Sequence, residues 1–159
     1  MKNILFILLF PFALIAQQPS CMVVDTVYVT AKAKVLKNKD ICFGIKQIVE
    51  EELSTKYCLS DSGSSVRVEV FYFGVPKSTL RIAGVEKTNQ TTQIGIKLHV
   101  RVCSVCPVVV YDGMGESSTE VRAIMIELKE NSVPFAKMTV SNSVKQAVFE
   151  AVAKMPWDG

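Results

Sequence analysis

From Val23 to Val35 the chain alternates, with Val23, Asp25, Val27, Val29, Ala31, Ala33 and Val35 on one face, and this period of two predicts a half-buried first strand. Past the polar break Lys37-Asn38-Lys39 the period changes. Ile41, Ile45, Ile48, Val49 and Leu53 recur every three or four residues behind Asp40, which predicts a helix capped by Asp40 and stopped at Ser54-Thr55. A polar loop through Ser60-Asp61-Ser62-Gly63 follows. Val66, Val68, Val70 and Tyr72 then share one side of a second strand, opposite Arg67, Glu69, Phe71 and Phe73, until Gly74-Val75-Pro76 ends it.

Leu80 to Val102 reads as one long strand, or as two with a polar break at Lys87-Thr88-Asn89-Gln90. Its second half places Ile94, Ile96, Leu98, Val100 and Val102 on one face and Lys97, His99 and Arg101 on the other. Val108 to Tyr111 predicts a further strand, continued through a flexible Asp112-Gly113-Met114-Gly115 into Glu120 to Leu128. Ser143 and Gln146 have capping-box spacing, and Val144, Ala147, Val148, Ala151, Val152 and Met155 form a helical stripe that Pro156 stops. Sequential strands with short connections are usually antiparallel neighbours. The expected fold is therefore α+β: an antiparallel sheet of four to five strands with two amphipathic helices on one face.

The amino terminus adds an address. Met1-Lys2-Asn3 is basic, Ile4 to Ala16 is apolar, and Gln17-Gln18-Pro19-Ser20 turns polar, the layout of a secretory signal peptide. The apolar run falls short of the roughly 20 residues a membrane span needs, and Pro11 interrupts it. The reading is a signal peptide over residues 1–16, a single α+β domain over 17–159, and an exported protein, periplasmic or at the cell surface. A whole-chain charge of +3, nearly balanced once Lys2 leaves with the signal, gives no electrostatic case for nucleic acid or an anionic membrane as a partner, so any basic patch has to be argued locally.

Export changes how the five cysteines are read, because oxidised pairs persist outside the cytosol, and an odd number leaves one over. Cys103-Ser104-Val105-Cys106 resembles a redox motif in spacing, yet Pro107 and a valine run follow it where an exchange protein has a helix. As a hairpin connection the same residues bring opposed Cα atoms to about 4.5–5.5 Å, within disulfide range, so Cys103 and Cys106 form a disulfide candidate. Thiol-disulfide activity at this pair is the alternative function. Cys42 and Cys58 are placed at opposite ends of the first helix, about 24 Å apart, and are read as small buried apolar residues. Cys21 sits where a lipid-modified cysteine follows bacterial signal cleavage, although Gln18-Pro19-Ser20 departs from the usual Leu-small-small pattern. Contact with a membrane is expected only if Cys21 is lipidated.

Catalytic parts are missing from the pattern. His99 is the sole histidine, and it lies on a strand between Lys97 and Arg101 rather than beside a nucleophile. Gly113-Met114-Gly115 has no lysine or helix after it to cradle a phosphate, and reads instead as a twisted strand or bulge. No metal set or cofactor is expected. Lys97, His99 and Arg101 remain as a basic face for an acidic partner, or as a solvated face paired with Glu69 or Glu116.

The leader, the first helix followed by Val66-Arg67-Val68-Glu69-Val70, the strand Ile94 to Val102, the segment Tyr111 to Ser118 with Gly113, Gly115 and Ser117, and the final helix together resemble small bacterial envelope proteins of the YajG-like lipoprotein and CsgG/LpoB-like kind. That resemblance implies a non-enzymatic role at the cell envelope, in binding or assembling another component. The partner is then an envelope protein, and the length of Leu80 to Val102 adds an expectation of homodimerisation through a sheet edge.

Overall fold

The structure, a computed structural model, describes residues 21–37, 39–82, 85–121 and 137–156. The signal peptide and most of the predicted strand Glu120 to Leu128 lie outside them. Alternation gives out early in the first strand: β1 covers Cys21–Val29, and the expected continuation to Val35 is a 3-10 turn, Ala31–Leu36, that buries Ala33 and Leu36. The buried face also differs. Met22 and Val24 point into the core, and the pairing register shifts between Val24 and Thr26, after which Val27 and Val29 pack against it. One extra residue in a ladder moves every later side chain to the other face, so period-two counting from Val23 selects the wrong side before the shift and the right one, Val27 and Val29, after it.

Helix α1 (Lys39–Ser54) buries Ile45, Val49 and Leu53, with Ile41 and Ile48 partly covered. Asp40 lies inside its first turn rather than ahead of it. Cys58 falls beyond the helix in the two-residue strand β2 (Cys58–Leu59), which pairs with the start of β1. Strand β3 (Ser64–Gly74) buries Val66, Val68 and Val70, and a second register shift between Val70 and Tyr72 turns Phe73, not Tyr72, toward the core.

The predicted break at Lys87 to Gln90 does not occur. These residues lie within β5 (Val85–Arg101) and pair with β4 (Lys77–Ile82), so the chain reverses between Ile82 and Val85 instead. Polar composition misleads here because the ladder bonds use backbone groups alone. Strand β6 (Val109–Val121) runs without interruption through Gly113 and Gly115. That stretch is neither a flexible link nor a bulge.

Among the described residues the sheet has six strands and is mixed, not purely antiparallel. β1 runs parallel to β2 and β3, while β3, β4 and β6 are antiparallel to β5. The cause is the connection between β1 and β3: a strand, a helix on one face and a return to the sheet bring the chain back to its starting end, so the two strands share a direction. β5 is central, with β3 and then β4 along one side and β6 along the other. Leu80 to Val102 therefore supplies no free edge over β5, and edge association would have to use other strands.

Helix α2 (Lys137–Ala153) packs on β5, β6 and α1, and buries Val144, Ala147, Val148, Ala151 and Val152 with Met155 just beyond. Because it starts at Lys137, Ser143 is not a cap. Its hydroxyl is fully buried and lies 2.9 Å from the Thr92 carbonyl and 2.8 Å from the Thr139 carbonyl, tying helix to sheet. Ser143→Ala is expected to lower stability by about 1 kcal/mol, since it removes a buried hydrogen bond that ties α2 to β5. An unchanged urea midpoint would refute this. Further along, Gln146 Oε1 accepts from the Glu116 N–H at 3.0 Å, Glu150 Oε2 accepts from the Met114 N–H at 2.9 Å, and Lys154 Nζ donates to the Asp112 carbonyl at 2.7 Å. One helix row thus occupies outward backbone groups of the edge strand β6 between Asp112 and Glu116. No described helix is long and apolar enough to cross a membrane.

Candidate functional site on the outer sheet face

Both helices cover the face carrying Val66, Val68, Ile96 and Leu98. Alternation sends Arg67, Glu69, Lys97, His99 and Arg101 to the opposite face, where register sets Arg67 beside His99, Glu69 beside Lys97 and Ser65 beside Arg101. Tyr28 of β1 pairs with Glu69 in register and Val110 of β6 with His99, so two adjacent register rows together cross four strands.

Three side chains in these rows converge. His99 Nε2 lies 2.7 Å from Glu69 Oε2, and the Tyr28 hydroxyl donates to Glu69 Oε2 at 3.1 Å while lying 3.1 Å from His99 Nε2. Burial alone pushes the Glu69 carboxyl up, but the hydrogen bonds from His99 and Tyr28 and the charges of Lys97 and His99 outweigh it and hold the carboxyl below its usual range. Partial burial, then the adjoining Glu69 carboxylate, raises the Tyr28 hydroxyl.

These directions fix a pH dependence. A depressed carboxyl stabilises the fold above its ordinary value of 4.5 and loses that contribution as pH falls through the folded-state value. A raised phenol contributes below its ordinary 10.0 and loses it as pH rises through the folded-state value. Glu69→Gln should therefore flatten the acid limb of a plot of urea midpoint against pH. An acid limb identical to that of the parent would contradict the assignment.

The basic residues do not act as one stripe. Lys97 Nζ stands 4.8 Å from the centroid of the Phe71 ring, and Phe71 itself crosses over Gly95, where a Cβ would meet its ring and Met114 Sδ. His99 is committed to Glu69. Arg101 is joined instead by Arg67, which no period within β5 can reveal because it sits on β3. Neither arginine has a carboxylate partner among the described residues, and both line a depression of about 220 Å³ with Asp25, Ser65, His99 and Val108. The Ser65 hydroxyl donates to Asp25, so it is not poised as a nucleophile for His99. No three metal-ligating side chains gather among the described residues.

The cysteines take up positions at one end of this sheet. Cys103 and Cys106 are joined by a disulfide across a tight turn, with Cα atoms 5.0 Å apart and the Cys106 N–H donating to the Cys103 carbonyl at 3.1 Å. Strand β6, not a helix, follows, so no helix N-terminus faces the sulfurs to activate them. Cys58 is not a buried apolar residue: it is bonded to Cys21, with Cα atoms 4.4 Å apart, where β1 and β2 pair. A Cys21 sulfur in that bond has no valence left for a thioether, so lipidation and this disulfide are alternatives. Cys42 is free and half-buried on α1.

The chain matches no protein-family model and none of the curated proteins. Among solved structures it is similar to a minor lipoprotein from Acinetobacter baumannii, at 6% identity and a TM-score of 0.40 over 78% of this chain and 83% of that one. It is also similar to the hypothetical protein CT253 from Chlamydia trachomatis, at 8% identity and a TM-score of 0.28 over 62% of this chain and 73% of that one.

Proposed function

We propose that this chain is an exported, non-enzymatic protein of the cell envelope, periplasmic or at the cell surface, that binds an acidic protein component through the outer face of its sheet. The leader Met1 to Ala16 and the two disulfides support export. What carries the binding reading is Arg67, exposed without a carboxylate partner among the described residues, beside a His99 ring whose orientation Glu69 and Tyr28 fix. Exposed Tyr28, Val110 and Met114 on the same face supply apolar contact around these charges.

The test is photo-crosslinking in the native host from a reactive residue placed at Val110, directly opposite His99. A discrete adduct with an envelope protein is expected, and Arg67→Glu should abolish it without changing the amount of folded protein. Absence of any adduct, or an adduct indifferent to Arg67→Glu, would overturn the reading.

A further inference from the structure

Chain direction brings several segments to one end of the sheet. β1 begins there at Cys21, paired with Cys58, β3 begins at Ser64, paired with Met22, β5 finishes at Arg101, paired with Ser65, and β6 starts at Val109, paired with Val100. The connection from Val102 to Val108 projects beyond them. In it Val102 is 70% exposed and Val105 is 92% exposed, while Val109 and Leu59 at the same end are nearly half exposed. Beneath them opens a small groove of about 130 Å³ lined by Met22, Tyr57, Val102, Val109 and Met155.

Elsewhere Phe43, Met138 and Phe149 are scattered on the helices and Tyr28, Val110 and Met114 are less than half exposed on the outer sheet face, so Val102 and Val105 are the most exposed apolar pair close together in the chain among the described residues. A valine held almost wholly in water contributes nothing to the core, yet this one sits on a turn that a disulfide fixes, so the cost of ordering it on contact with an apolar phase is already met. Arg101 immediately precedes the turn, with Arg67 further back on the same flank, both without carboxylate partners among the described residues. Apolar side chains at a tip with cations behind them match a bilayer surface, where the tip enters the acyl boundary and the cations meet phosphate.

We propose that the Val102–Val108 turn, with Arg101 at its base, docks reversibly on a bilayer surface that carries anionic phospholipid. Arg67 and Arg101 also line the depression of the partner-binding face, so Val105, which lies on the turn alone, is the position that separates the two assignments.

Cosedimentation of the mature chain, from Gln17 with its disulfides intact, tests this with vesicles of phosphatidylcholine alone and of phosphatidylcholine mixed with phosphatidylglycerol. Binding is expected to the mixed vesicles and to weaken with salt. Val105→Asp should lower the partition coefficient by about tenfold, Arg101→Glu should lower it by about tenfold on mixed vesicles only, and Val105→Trp should raise it, because tryptophan favours the interface. Both positions are exposed, so the melting temperature checks that the fold is retained. No binding to mixed vesicles, or equal binding by Val105→Asp and the parent, would overturn the proposal while leaving crosslinking from Val110 unaffected.

Discussion

Replacing Gly113 and Gly115 together by alanine is expected to leave the domain unfolded or molten, with each single change costing about 3 kcal/mol or more. At Gly113 an added Cβ would collide with the carbonyl of Ala147, and at Gly115 with the carbonyl of Ser143. Both obstacles are backbone of α2, which has no rotamer to change. The helix would have to lift from β6 along the row where Gln146, Glu150 and Lys154 make their bonds, and Ala147 and Ala151 would lose close packing at once. Urea denaturation followed by circular dichroism gives the check. Alanine at both sites with parental stability would show that α2 does not lie this close to the strand.

Cys58→Ser is expected to have the second-largest effect. The Cys21–Cys58 bond closes a loop with a sequence separation of 37, for which the chain-entropy relation gives about 4 kcal/mol, against about 2 kcal/mol for the short Cys103–Cys106 loop. The bond also pins β2 to the start of β1, where only Cys21 and Met22 pair with it. Loss of the bond should therefore lower stability well beyond the loss from Cys103→Ser with Cys106→Ser. Peptide mapping without reduction is a second readout, in which Cys21 and Cys58 should appear in one linked pair. A mass placing a thioether lipid on Cys21 with Cys58 free would replace the disulfide assignment and put the first residue of β1 at a membrane surface.

Much of the fold was legible where side-chain period and backbone geometry agree. Ile45, Val49 and Leu53 on α1, Val144, Val148 and Val152 on α2, and Ile94, Ile96 and Leu98 on β5 are all buried on the predicted stripes. The readings that failed share a cause: they depend on partners distant in sequence. The shifts near Asp25 and Phe71 exist only relative to neighbouring strands, so nothing local announces that Val24 rather than Val23, or Phe73 rather than Tyr72, faces inward. Parallel pairing of β1 with β3 was implicit in the strand, helix, strand order, but a preference for antiparallel neighbours hid it. Ser143 and Gln146 have cap spacing by coincidence, because the helix begins earlier and their partners lie on β5 and β6. For the site, Lys97, His99 and Arg101 share a face as expected, whereas Glu69 and Tyr28 become companions of His99 only through strand order. Val24 and Cys58 illustrate the same limit, since a single chain does not display what will lie next to it.

The bonds from α2 to β6 also limit how copies of this chain could join. With Gln146, Glu150 and Lys154 seated along that rim, an incoming strand finds its hydrogen-bonding positions taken, while the rim of β1 beyond Met22 carries no strand among the described residues. Strand addition by a second copy is thereby steered away from the middle of β6 and toward β1 or β4, which pairs with β5 alone among the described residues.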